Sequence, residues 1–166
     1  MRSGLRILSL ALLLLAVSSV LPAPARAQTL DWNRLDDPMY EALGLNLGFA
    51  SGFGLAYKFP VRWWLYVQAS GGIWNNQDDK RHNLGLELQY ILRQSGRDKL
   101  YCGLGAAHFY HQESGRTRDH INVGFGVGLE RLFGERTAVQ AEATFIDRGN
   151  KDTLMLFPQV GLYYYF

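Results

Sequence analysis

Along most of the chain apolar residues alternate one for one with small or polar residues. That period of two belongs to a strand with two unlike faces, not to a helix. Leu43, Leu45, Leu47 and Phe49 alternate with Gly44, Asn46, Gly48 and Ala50, and Phe53, Leu55, Tyr57 and Phe59 alternate with Gly54, Ala56 and Lys58. Trp63, Leu65, Val67, Ala69 and Ile73 oppose Trp64, Tyr66, Gln68, Ser70 and Trp74. Leu84, Leu86, Leu88, Tyr90 and Leu92 oppose Asn83, Gly85, Glu87, Gln89 and Ile91. The same beat runs through Ile121, Val123, Phe125, Val127 and Leu129, through Val139, Ala141, Ala143 and Phe145, and through Leu154, Leu156, Val160, Leu162, Tyr164 and Phe166. Residues 100–111 are ambiguous, because Gly103, Gly105, Ala106 and Ala107 are small on both faces.

Turn chemistry divides this pattern into eight strands, with connections near Ser51, 60–62, 75–81, 94–98, 112–119, 133–136 and 147–152. Pro158 falls inside the last strand and removes a ladder donor, which predicts a bulge or a missing bond there. Residues 28–40 show no strand pattern and read as a short N-terminal segment. Neither a helix nor a second domain is expected.

The two faces differ in chemistry. One carries Leu, Val, Ile, Phe, Tyr and Trp; the other carries Gly, Ala, Asn, Gln and a few Glu. A soluble barrel or sandwich would turn a charged face to water. A small, weakly charged face instead suits the inside of a narrow barrel, which leaves the apolar face to meet lipid outside. A sheet crossing hydrocarbon must close, since lipid satisfies no open edge. The pattern therefore predicts an all-β, eight-stranded antiparallel transmembrane barrel whose interior is filled by side chains. Lys58, Glu87, Arg93, Glu130 and Glu142 are expected to form a polar network in the lumen, with Glu87 and Glu142 near mid-depth. Such a network serves either structure or a proton path; the structural role is the expectation. Aromatic girdles are expected at Phe59, Trp63, Tyr164 and Phe166 at one end, and at Phe49, Phe53, Trp74, Phe109 and Phe145 at the other.

Composition narrows the class further. The 166 residues include 17 Lys+Arg, 15 Asp+Glu, one Cys and 18 Gly. A single cysteine, Cys102, excludes an internal disulfide or a multi-cysteine metal site. Residues 1–27 read as a secretory signal: Arg2 and Arg6, an apolar run from Ile7 to Val17, then Ala25-Arg26-Ala27 as the cleavage site. Cleavage after Ala27 turns the formal charge from +2 to −1, so neither a cytoplasmic role nor a nucleic-acid partner is expected.

The leader, the alternating strands and the ending Val160, Leu162, Tyr164, Phe166 together resemble the small outer-membrane β-barrels of Gram-negative bacteria. These are the OmpX/Ail-like proteins and the OmpA barrel domain, and the resemblance covers residues 41–166. It implies an outer-membrane location and recognition of the terminal aromatic signature by the barrel-assembly machinery; a monomer is expected. It also implies termini in the periplasm, with the connections at Ser51, 75–81, 112–119 and 147–152 outside.

Three kinds of site follow. His82, His111 and His120 end neighbouring strands and are candidates for a divalent metal, with Asp78, Asp79 or Asp119 nearby; the alternative is a solvated rim. Lys80, Arg81, Arg116, Arg118, Arg148 and Lys151 are candidate outer-loop contacts to lipopolysaccharide phosphates or an external ligand. Lipid A deacylases place a His-x-Ser pair on the penultimate strand, whereas residues 137–166 contain neither His nor Ser. The sequence thus favours a non-enzymatic structural or surface-interaction protein without a cofactor. A lipid-modifying enzyme is the alternative, and a soluble periplasmic lipocalin-like carrier a third.

Overall fold

Strands form where the alternation places them, and their register closes the sheet. The computed structural model describes residues 40–76, 79–113, 116–147 and 154–166. Eight strands follow in order: β1 (Ala42–Gly48), β2 (Gly52–Arg62), β3 (Leu65–Asn75), β4 (Asp79–Ser95), β5 (Asp98–Glu113), β6 (Arg116–Phe133), β7 (Thr137–Asp147) and β8 (Met155–Tyr165). Each pairs antiparallel with its sequence neighbour. β8 returns to β1, from Ala42↔Tyr165 to Leu47↔Val160, and closes the barrel. The predicted leader and cleavage site lie outside the described residues.

The faces are inverted relative to a water-soluble barrel. Leu84, Leu86 and Leu88 on β4 point outward and are 66%, 56% and 46% exposed, while Lys58, Gln68, Glu87, Glu130 and Gln140 are buried inside. On β5, Lys99, Tyr101, Gly103, Gly105 and Ala107 face in, and Leu100, Leu104 and Ala106 face out, which resolves the parity that small residues obscured.

One sequence expectation needs correction, and of the two offered for Pro158 the bulge is absent. A bulge between Ile91 and Arg93 puts Ile91 opposite Tyr101 and Arg93 opposite Leu100. The extra residue, Leu92, reverses the parity, so Ile91 is buried against Tyr66 and Tyr101 while Arg93 is exposed on the outer face. No bulge forms at Pro158, whose rung with Ala143 lies in an unbroken register. β1 has already left β8 above Leu47↔Val160, so Pro158 sits where β8 has a neighbour on one side only, the setting in which a strand tolerates proline.

Strand length is uneven at the end away from the termini. β1 has 7 residues, but β4, β5 and β6 have 17, 16 and 18. The β6–β7 ladder stops at Val123↔Asp147, and the β2–β3 ladder begins only at Leu55↔Gly71. Beyond those rungs the outer parts of β3, β4, β5 and β6 stand above the barrel as a four-stranded sheet.

Candidate functional site

Lateral rungs arrange the inner face of this far end in three tiers. The lowest is Ser70, Gly85, Ala107 and Asn122; the next is Gly72, Asn83, Phe109 and His120; the third is Trp74, Arg81, His111 and Arg118. The lowest tier is sealed by the β1–β2 turn. Ala50 and Ser51 are buried, because this turn folds into the lumen instead of standing above it. Asn122 Nδ2 donates to the Phe49 carbonyl at 2.9 Å, the Ser70 hydroxyl donates to the Ser51 carbonyl, and the Ser51 hydroxyl donates to Gln159 Oε1 at 3.0 Å. Glycine makes room for it. A Cβ at Gly85, Gly105 or Gly124 would run into Ser51 or Ala50.

Below the turn the lumen is packed with hydrogen-bonded polar side chains. Lys58 Nζ lies 2.5 Å from Glu130 Oε2 and donates to Gln140 Oε1 at 2.7 Å. Lys99 Nζ lies 3.6 Å from the other Glu130 oxygen, which also accepts from the Tyr165 hydroxyl at 2.6 Å. Both ammonium groups rest over tyrosine rings, Lys58 over Tyr163 at 4.2 Å and Lys99 over Tyr66 at 4.5 Å. Gln89 bridges Gln68 and Glu87 at 3.1 and 2.7 Å. Glu142 accepts from Tyr101, Thr144 and Gln159 at 2.9, 2.6 and 3.0 Å. Buried charges survive when paired and hydrogen-bonded; Glu130 meets that condition with Lys58, Lys99 and Tyr165, whereas Glu87 Oε2 and Gln68 Nε2 are buried without a hydrogen-bond partner.

Of the lumen residues proposed from sequence, Lys58, Glu87, Glu130 and Glu142 lie inside and Arg93 does not. Sequence reading missed Lys99, Tyr101, Tyr163 and Tyr165 as partners. Lys99 borders a connection and the ambiguous stretch, but Tyr163 and Tyr165 alternate with Leu162, Tyr164 and Phe166, and that alternation gives them the inward parity.

Above the turn lies a cleft of about 840 Å³, bounded by Leu47 and Phe53 on one side and by Trp74, Arg81, Asn83, Phe109, His111 and His120 on the other. It exists because β2 bends inward. Gly52 and Gly54 have φ of 92° and 121°, values open to glycine and strained for other residues. The Phe53 amide donates to Asn83 Oδ1 at 2.7 Å, drawing the hairpin tip across the mouth. Within the cleft Phe109 stacks on His120 with ring centroids 5.3 Å apart. Asp79 accepts from Arg81 at 3.0 Å through Nε and 2.7 Å through Nη2, and His111 Nε2 is 3.7 Å away. This tip stands beyond the apolar belt, and the hydrogen bond from Arg81 holds the Asp79 carboxyl below the usual carboxylate range despite partial burial.

The three histidines do not converge. His82, His111 and His120 all border the cleft, but His82 stacks on Tyr110 at 4.4 Å and lies 6.4 Å from His108, while His120 stacks on Phe109 and His111 lies by Asp79. His82 shares a rung with Tyr110 and Asp119, between the rung of His111 and that of His120, and alternate rungs direct their side chains to opposite faces. Among the described residues no group of three His, Cys, Asp or Glu side chains suits a metal ion. Lys80, Arg81, Arg116 and Arg118 are exposed on the protruding sheet; Arg148, Lys151 and Asp78 lie outside the described residues. Of the far girdle, Phe145 faces outward, stacked on Phe125 at 5.5 Å. Phe53, Trp74 and Phe109 line the cleft instead, and Phe49 packs over the turn against Phe157 at 4.7 Å. At the other end Val160, Leu162 and Tyr164 form an exposed outward stripe, and the Phe166 amide donates to the Glu41 carbonyl at 3.0 Å.

No family model and no curated protein matches the chain. Among solved structures it is similar to Ail, the attachment invasion locus protein of Yersinia pestis, at 16% identity over 77% of this chain and 95% of that one, TM-score 0.44. It is also similar to the de novo designed TMB2.3, at 19% identity over 79% and 97% of the two chains, TM-score 0.40. The chain itself is an all-β protein, a closed antiparallel barrel of eight strands.

Proposed function

We propose that this chain is a non-enzymatic, non-conducting outer-membrane barrel whose protruding sheet makes contacts at the cell surface. The observation that carries the reading is the inverted polarity: apolar side chains cover the outside while a bonded network of charges and amides fills the inside. On β6 the outward run from Ile121 to Leu129 extends ~27 Å along the strand. Tilted, a strand of that length covers most of a ~25 Å apolar band. Outward Leu84, Leu86 and Leu88 also argue against a lipocalin-like carrier, which needs its apolar side chains within.

Termini on the periplasmic side place the sheet of β3 to β6 outside, where Arg81, Arg116 and Arg118 meet lipopolysaccharide phosphates or an acidic external ligand. The exposed stripe of Val160, Leu162 and Tyr164 with Phe166 suits recognition by the barrel-assembly machinery. A non-enzymatic role is supported by β7, which carries no His or Ser, and by Ser51 and Ser70, whose hydroxyls are engaged at the buried turn.

Outer-membrane fractionation followed by electrophoresis of unheated and boiled samples tests the reading. A folded barrel migrates differently before boiling. Recovery in the soluble periplasmic fraction with no heat-dependent shift would overturn it.

A further inference from the structure

The cleft has a side opening that the barrel wall does not require. β2 leaves β3 at its outer end, so the wall is notched between Leu47 and Ile73, both exposed and both on the outward face of their strands. Leu47, Phe53 and Ile73 border the cleft at this notch, and Arg81 and His111 border it one tier above Asn83 and Phe109. The pocket therefore joins the apolar belt to the polar cup, with its apolar part facing the belt. On the rungs around it stand Arg81, His111, Arg118 and His120, with the acidic residues Asp79 and Glu113 on the same-facing rung above and Asp119 on the rung between those of His111 and His120. The volume lies within the range of pockets that hold one small organic ligand.

We propose that the notch holds one anionic lipid of the outer leaflet, an acyl chain running beside Leu47, Phe53 and Ile73 and the phosphate at Arg81 and His111. The inference rests on the membrane reading and adds a defined lipid site to it. A phosphate suits the site because guanidinium and imidazole N–H groups can donate to its oxygens together. Phe109, stacked on His120, gives the chain's first methylenes a rigid wall.

The test uses the whole chain in bilayers containing bromine-labelled phosphatidic acid or bromine-labelled phosphatidylcholine with the same acyl chains. Trp74 borders the cleft, so the quenching lost on Trp74→Phe reports occupancy there. Phosphatidic acid should be favoured about fivefold over phosphatidylcholine, the effect of one cation at a membrane surface. Arg81→Ala with His111→Ala should abolish that preference. Native mass spectrometry of protein released from the same bilayers should show one retained phosphatidic acid on the wild type and none on the double variant, whatever Trp74→Phe does to folding. Equal quenching by both lipids, or a preference that survives the double variant, overturns the lipid site. The remaining tryptophans keep the two readings apart. If they too escape both quenchers, the barrel is not in the bilayer and the membrane reading falls with it.

Discussion

Lys58 illustrates how much a single side chain contributes in a closely packed lumen. It is 1% exposed, and it bonds Glu130 and Gln140 while lying over Tyr163. Removing it strands Glu130 with Lys99 and Tyr165 alone. Lys58→Ala is expected to destabilise the barrel by about 3–5 kcal/mol, read from urea unfolding of the full chain in lipid vesicles. Lys80→Ala at the exposed rim should fall within about 0.5 kcal/mol of the parent. Asp79 behaves differently because water reaches it. Its carboxyl is held low chiefly by the hydrogen bond from Arg81, with the charges of Arg81 and His111 assisting. A lowered carboxyl stabilises the folded tip above its ordinary pKa, and the contribution is lost as pH falls through the lowered value. In Arg81→Ala a carbon NMR titration should find the Asp79 midpoint moved up toward the ordinary carboxylate range; an unmoved midpoint would refute Arg81 as the cause. At this scale the sequence revealed Lys58, Glu87, Glu130 and Glu142, since an isolated charge on an inward parity has few places to go. Arg93 escaped because one extra residue, Leu92, reverses the parity, and period counting cannot see a bulge.

The hairpin of β1 and β2 shows what an element gains from its neighbours. Its turn contains little to distinguish it from any short connection, and sequence reading placed it at the outer surface. What draws it inward lies far along the chain: glycines on β4, β5 and β6, Asn122 on β6 and Gln159 on β8. Gly85→Val puts a branched side chain into the Ser51 backbone, and overpacking of a close-fitting interior costs about 1–3 kcal/mol or more. We expect the unfolding midpoint of Gly85→Val to drop clearly, and that of Ala106→Val, which faces outward, to stay near the parent. Similar losses for both would mean that the turn is not seated against β4. Lateral register limited legibility in the same way. Alternation assigns each strand its faces, but the tier of Trp74, Arg81, His111 and Arg118 depends on which rung meets which. That is why alternation alone does not reveal the cleft and does not separate the rungs of His82, His111 and His120.

For the whole molecule the fold was the most legible part, because closure in lipid follows from two facts: alternating polarity and the absence of an alternative partner for edge strands. Strand number followed from turn residues. The uneven rim did not, since residues that pair above the barrel alternate much like those within it. A filled lumen with a seated turn predicts that purified chain in planar bilayers gives no stepwise conductance; discrete channels would contradict the packing of Lys58, Glu130, Glu142 and Gln159. Strand-to-strand hydrogen bonding alone is indifferent to whether seven, eight or nine strands form the ring. The inturned hairpin is not, because Phe49 to Ser51 must touch β3, β4, β5, β6 and β8 at one height. A larger circumference would leave it rattling, and a smaller one would crush it. The first hairpin thus works as an internal gauge against which the ring is sized. It follows that this tip, though it joins two surface-directed strands, is the poorest place on the molecule to graft a displayed peptide.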